Sequence, residues 1–208
     1  STMNLHFSKY QGTGNDFIII ANTENLISLT TDQVKHLCDR KFGIGADGLI
    51  LLEKSNHTDF KMVYYNADGN RSSMCGNGGR CIVSFAREMG IIEDTCVFEA
   101  IDGLHKAKID AEGKVRLQMK DIELVQQVNQ DVLLDTGSPH YIKFCKDIEI
   151  KDFVEKAKLI RNSNDYKAEG INVNFVRVEK DSLSMRTFER GVEDETLSCG
   201  TGVVAAAI

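Results

Sequence analysis

The pattern of hydrophobic and polar positions is mostly that of short strands. Alternating or β-branched stretches predict strands over Phe7–Tyr10, Phe17–Ala21, Leu49–Leu52, Phe60–Tyr65, Val97–Ala100, Val115–Met119, Val132–Asp135, Tyr141–Phe144, Val173–Val178 and Leu183–Phe188. Helical spacing is rarer. Thr31–Lys41 opens on a capping threonine, and Lys151–Arg161 repeats Phe153, Val154, Ala157 and Ile160. Asn77–Met89 sets Ile82, Phe85, Ala86 and Met89 on one stripe and stops at Gly90. Gly202–Ile208 is apolar on every face, which predicts an enclosed helix. Many strands, with a helix inserted after each of two cysteine motifs, predict an α+β fold rather than a doubly wound sheet.

The order of these elements is duplicated. A strand ends in Tyr65-Asn66-Ala67-Asp68-Gly69, and Met74-Cys75-Gly76-Asn77-Gly78 then opens a helix. Later a strand ends in Phe188-Glu189-Arg190-Gly191, and Ser198-Cys199-Gly200-Thr201-Gly202 opens another. Strand, polar turn with glycine, Cys-Gly-x-Gly and apolar helix thus occur twice. The expected domains are residues 3–121, carrying Cys75, and 122–208, carrying Cys199. The boundary falls at Asp121, where the charged stretch Lys120–Glu123 precedes a polar segment. Met3 reads as the natural start, with Ser1-Thr2 extraneous. An all-apolar helix reaching Ile208 needs a covering layer, so further chain is expected after it.

Composition narrows the picture. The 208 residues are 42% hydrophobic and 27% charged, ordinary for a globular protein, and a net charge of −6 gives no case for nucleic acid or an anionic membrane surface as partner. No apolar run approaches the roughly 18 residues of a membrane span, and no signal peptide is evident, so the cytoplasm is the expected compartment. Six cysteines would suit a disulfide framework only in a small secreted chain. Cys75 and Cys81 are also spaced too widely for a zinc pair, so no metal is expected. Cys38, Cys81, Cys96 and Cys145 read as small buried hydrophobes.

Cys75 and Cys199 differ from these four because each stands just ahead of a helix N-terminus. There, unpaired N–H groups and the positive end of the helix dipole favour thiolate and hold an anion. Two thiols from two related halves can take a proton from one face of a carbon and return one to the other, inverting a stereocentre. The thiol's reference pKa of about 8.5 suits that work. The N–H groups at Gly76-Asn77 and Gly200-Thr201 would hold a carboxylate beside the reacting carbon. Read alone, Asn15 in Gly12–Asp16 is turn chemistry and Glu189-Arg190 a solvated ion pair. Gly76–Gly79 lacks the Lys-Ser/Thr that closes a phosphate loop.

Taken together, the motifs resemble the diaminopimelate epimerase family. They are Gly12-Thr13-Gly14-Asn15-Asp16-Phe17, Phe42-Gly43-Ile44-Gly45-Ala46-Asp47-Gly48, Tyr65-Asn66-Ala67-Asp68-Gly69, the Cys75 motif, Gly137-Ser138-Pro139-His140, Gly170-Ile171-Asn172-Val173-Asn174-Phe175, Glu189-Arg190-Gly191 and the Cys199 motif. The resemblance implies two pseudo-symmetric halves, each a mostly antiparallel sheet or barrel around a central helix. It implies cofactor-independent interconversion of LL- and meso-2,6-diaminopimelate, with Cys75 and Cys199 as the acid–base pair. His140 and Glu189 would set the thiols' protonation. Asn15, Asn66, Gly76, Asn77, Asn172, Glu189, Arg190, Gly200 and Thr201 would bind substrate. No cofactor is expected; the expected partner is a small amino-acid substrate, and a homodimer is compatible with the sequence. His6, His36, His57 and His105 carry no assigned role. Two positions depart from the family pattern: Ser138, where asparagine is common, and Gly48, where many members have glutamine. The alternative is a cofactor-independent racemase of another amino acid, such as histidine or proline, although proline racemases usually carry histidine where Asn77 stands. A cysteine hydrolase built on Cys75 and His140 would explain one thiol only.

Overall fold

A computed structural model describes residues 4–73, 76–118, 125–136 and 138–196. The chain divides into two compact units, Ser1–Gln118 and Met119–Ile208. The expected boundary residue Asp121 and the expected helix Gly202–Ile208 lie outside the described residues.

The first unit is a seven-stranded sheet in sequential order: β1 (Ser8–Gly12), β2 (Asn15–Asn22), β3 (Gly48–Glu53), β4 (Phe60–Asn66), β5 (Thr95–Ala100), β6 (Gly103–Ile109) and β7 (Val115–Leu117). Neighbours run antiparallel except at β2–β3 and β4–β5, where α1 (Thr31–Cys38) and α2 (Gly76–Glu88) make the crossovers. The continuous apolar runs in β2 and β3 follow from burial on both faces. Phe17, Ile19, Ile50 and Leu52 pack with Ile82, Val83, Phe85 and Ala86 of α2. Ile18, Ile20, Leu49 and Leu51 pack on the other face with Val34 and Cys38 of α1. Helix α2 touches both edge strands, β1 and β7, as well as β2 and β3, so the sheet curls around it.

The second unit repeats the plan with six strands: β8 (Val125–Val128), β9 (Asp131–Asp135), β10 (Pro139–Phe144), β11 (Asn172–Val178), β12 (Leu183–Glu189) and β13 (Asp194–Thr196). The one parallel pair among its described strands, β10–β11, is joined through α3 (Phe153–Arg161), as β2–β3 is through α1. Phe153 of α3 is wholly buried and meets Phe175 of β11 edge-on at 5.0 Å, a side chain worth about 1.5–3 kcal/mol of apolar burial. The opposite face of this sheet is different. Beside Ile142 and Val176 it carries His140, Asn172, Asn174, Thr187 and Glu189, all buried.

Several element ends differ from expectation. Helix α1 is capped by Thr30 in a capping box with Gln33, and ends at Cys38 rather than Lys41. Asp39 stops it, because its carboxylate accepts from the Lys41 and Phe42 N–H groups at 2.8 and 2.7 Å, which the helix cannot match. Met89 lies beyond α2 and is exposed, so the buried stripe ends at Ala86. Strands β6, β8 and β13 were not legible in the pattern. The inward positions of β6 are His105, Ala107 and Ile109, of which only the last is strongly apolar, and β8 and β13 are sheet edges.

Candidate active site

In both units the polar side chains gather at one end of the sheet. In the first, β2 and β3 begin there and antiparallel β4 ends there, which brings together Asn15, Asp47, Gly48 and Asn66. Helix α2 starts with Gly76 and Asn77, and its first turn holds no acidic residue to offset the dipole. Buried Asn77 donates through Nδ2 to Asn15 Oδ1 at 2.6 Å, and Asn15 Nδ2 donates to Asp47 Oδ2 at 3.3 Å. Arg80 in turn donates to Asn77 Oδ1. The sense of this chain is fixed by its ends, since a guanidinium can only donate and a carboxylate can only accept. Both amide orientations follow.

Asp47 is itself held from outside. Arg40 reaches Asp47 at 3.0 Å and forks Asp16 at 2.7 and 3.0 Å, and Lys9 lies 2.7 Å from Asp16. Burial raises the Asp16 pKa, but the Arg40 and Lys9 contacts outweigh it and hold the carboxyl well below its ordinary value. Gly48 has no room for a side chain. A Cβ there would lie 2.7 Å from the Tyr64 ring and 2.9 Å from the Tyr65 carbonyl oxygen, so Tyr64 fills the space a longer residue would need. Asn66 is half-buried, and its backbone closes the turn to Gly69 and Asn70.

In the second unit β10 and β11 begin, and β12 ends, at the corresponding end of the sheet. His140 is wholly buried, with Nε2 3.2 Å from Ser138 Oγ and Nδ1 3.0 Å from Asn174 Nδ2. Burial, and after it the charge of Arg190, pushes the His140 pKa down to about 3, so the ring is neutral at neutral pH. Asn172 donates to Ser138 Oγ at 3.1 Å and to the Pro139 carbonyl at 3.0 Å, and accepts from the Arg190 backbone N–H at 2.8 Å. Glu189 is buried beside Arg190. Burial lowers the Arg190 guanidinium's pKa; the carboxylate of Asp135 opposes that and the charge of Arg161 adds to it. Gly170 sits at φ +76°, and a Cβ on it would lie 2.8 Å from Arg190 Cδ and 2.9 Å from Arg161 Cζ. A cavity of about 500 Å³, large enough for an amino acid, is lined by Leu133, Asp135, His140, Tyr166, Glu169 and Ile171 among others.

The structure therefore groups Asn15, Asn66, Gly76 and Asn77 in one unit and His140, Asn172, Glu189 and Arg190 in the other. Cys75, Cys199, Gly200 and Thr201 lie outside the described residues. The remaining cysteines are free thiols; burial pushes Cys38, Cys81 and Cys96 up to about 11 and raises half-buried Cys145 as well, which suits inert packing. Among the described residues no cluster of His, Cys, Asp or Glu is arranged to hold a metal ion, and no helix is long and apolar enough to cross a membrane. Sequence reasoning missed Asp47, Asn174 and Thr187. The available signal for Asn174 was its period-two spacing from Asn172 in an otherwise apolar strand.

Comparison with known proteins identifies the family. The family model for diaminopimelate epimerase matches residues 7–125 and 132–208. The diaminopimelate epimerase of Flavobacterium psychrophilum is 54% identical over 202 residues, covering 96% of this chain and 79% of the relative. That of Chlorobaculum tepidum is 47% identical over 205 residues, covering 95% and 80%. Among solved structures, a hydroxyproline epimerase from Agrobacterium vitis shares the fold with a TM-score of 0.69 at 16% identity, covering 97% of this chain and 74% of that one. With the motifs in order along both units and relatives of this similarity, the chain belongs to the diaminopimelate epimerase family.

Proposed function

We propose that this chain interconverts LL- and meso-2,6-diaminopimelate by moving the α proton between Cys75 and Cys199, with no cofactor. In the LL-to-meso direction the Cys199 thiolate accepts the α proton. The electron pair left on the α carbon spreads into the adjoining carboxylate. The Cys75 thiol then delivers its proton to the opposite face, leaving Cys75 as thiolate and Cys199 as thiol, and proton exchange with solvent resets the pair. Helix α2, whose first turn carries no acidic residue, would stabilise the charge on the carboxylate, and Gly200-Thr201 would do the same from the second unit.

The observation that carries this reading is the repetition: each unit gathers buried amides of fixed donor sense at the sheet end that precedes its Cys-Gly-x-Gly motif. Asn15 and Asn77 would meet the reacting amino acid group. Asn66, Asn172 and Arg190 would meet the distal one, where a guanidinium forks a carboxylate. Buried Glu189 would act on the thiols through a hydrogen bond, and neutral His140 would orient the polar groups beside them. Both catalytic thiols must stay reduced, which favours the cytoplasm.

The test is a panel of LL-diaminopimelate, lysine, histidine and proline in deuterated water, followed for deuterium uptake at the α carbon and for epimer ratio. Diaminopimelate should exchange and epimerise. Lysine lacks only the distal carboxylate and should be a very poor substrate, because buried partners of that group would be left unpaired. Turnover of lysine or histidine at the rate of diaminopimelate would defeat the substrate assignment.

A further inference from the structure

The amide of Asn174 has no role in the reading above, yet it is wholly buried and makes three polar contacts. Its Nδ2 lies 3.2 Å from the Tyr141 carbonyl oxygen, which can only accept, so the nitrogen must face that way. On the other side Thr187 donates through Oγ1 to Asn174 Oδ1 at 2.9 Å. Asn174 and Thr187 are direct cross-strand partners in the β11–β12 ladder, so the sheet itself holds this pair in register. The second hydrogen on Nδ2 faces His140 Nδ1 at 3.0 Å. A donor can meet only a lone pair, so Nδ1 carries no proton, and a neutral ring must then carry it on Nε2.

We infer that Asn174, braced by Thr187, is a positioning residue that holds His140 in the Nε2–H tautomer and so fixes the donor sense of Ser138. His140 Nε2 donates to Ser138 Oγ at 3.2 Å, and Asn172 Nδ2 donates to the same oxygen at 3.1 Å. With both lone pairs taken, the serine hydroxyl can only donate in any further hydrogen bond. That is the polarity an anionic substrate group requires. A sense set at Thr187 is thereby handed through Asn174 and His140 to Ser138. Protonating Nδ1 would set two donors against each other, which agrees with the lowered His140 pKa. The consequence for substrate rests on the epimerase reading; the tautomer does not.

The tautomer is read from ¹⁵N shifts of the histidine rings in labelled protein at about pH 7, with His140 assigned by the resonance lost in His140→Gln. Wild type should show an unprotonated Nδ1 and a protonated Nε2. Asn174→Asp keeps the size but places an acceptor against Nδ1, and should move the proton there. Thr187→Val removes the brace at nearly constant volume and should give a mixture of both tautomers. In Asn174→Asp, KM for LL-diaminopimelate should rise on the order of tenfold with kcat changed far less, the mark of a lost binding contact. A wild-type ring protonated on Nδ1 overturns the proposal whether or not any variant folds, and so does an unchanged tautomer in a folded Asn174→Asp. A wild type with the expected tautomer but no turnover of diaminopimelate would remove the substrate assignment and leave the positioning role standing.

Discussion

Acid should cost this fold stability at a pH where its carboxylates are still ionised, and His140 is the reason. Its pKa lies near 3 in the folded protein against an ordinary value of 6.5. Between those values the unfolded chain binds a proton that the folded protein refuses. The stabilisation from burying a neutral ring is therefore complete above pH 6.5 and drains away as pH falls toward 3. Each pH unit inside the window is worth about 1.4 kcal/mol, so lowering the pH from about 7 to about 5 should cost about 2 kcal/mol. Asp16 acts in a separate window. Its carboxyl is held low by Arg40 and Lys9, so its contribution is lost only as pH falls below the ordinary carboxylate range. Of the other histidines, His6, His36 and His57 are exposed. The assay is urea unfolding at several pH values in that interval, on wild type and His140→Gln. Wild type should lose stability with the stated slope and the variant should not. A wild-type unfolding free energy constant to within about 0.5 kcal/mol across the interval would refute the reasoning, as would an equal slope in the variant.

Other perturbations probe separate features. Cys75→Ala and Cys199→Ala should each abolish net epimerisation, since either loss leaves one face of the carbon without an acid or base; near-normal turnover in either would end the two-thiol mechanism. Gly48→Ala should destabilise by about 1–3 kcal/mol in urea unfolding, because the added Cβ meets a backbone oxygen as well as the Tyr64 ring. An unchanged midpoint would show that the strand has room to shift. Asp47→Asn removes the end of the chain that orients Asn15 and should raise KM several-fold with little change in kcat; an unaltered KM would detach Asn15 from substrate binding.

The strands that were legible in the sequence are those whose side chains report their surroundings. β2 and β3 are apolar at nearly every position because a helix covers each face, and α2 is legible because Ile82, Phe85 and Ala86 form one stripe. β6 is hidden because a histidine and an alanine fill inward positions where Val or Ile would have signalled a strand. The same contrast holds at the site. His140, Asn172 and Arg190 stand in motifs, so their grouping could be anticipated. Asp47 sits in a motif too, but its work depends on meeting Asn15 across the β2–β3 pair, and no spacing along the chain carries that information. Asn174 acts through register with Thr187, and a cross-strand partner is set by the sheet rather than by the local pattern.

The directional chain from Arg80 to Asp47 also bears on how the protein ages. Asn77-Gly78 is its one Asn-Gly step, the dipeptide most open to succinimide formation, because glycine lets the next backbone nitrogen reach the side-chain carbonyl. In the folded protein both residues are buried in the first turn of α2, where helical geometry keeps that nitrogen away from the carbonyl. Chemical damage at this step is therefore confined to moments when α2 opens. Its aspartate product would set a carboxylate against Asn15 Oδ1, acceptor against acceptor, and its isoaspartate product would reroute the backbone of the first turn, so either would break the chain at its middle. Slow loss of activity in storage should track the opening of this one helix.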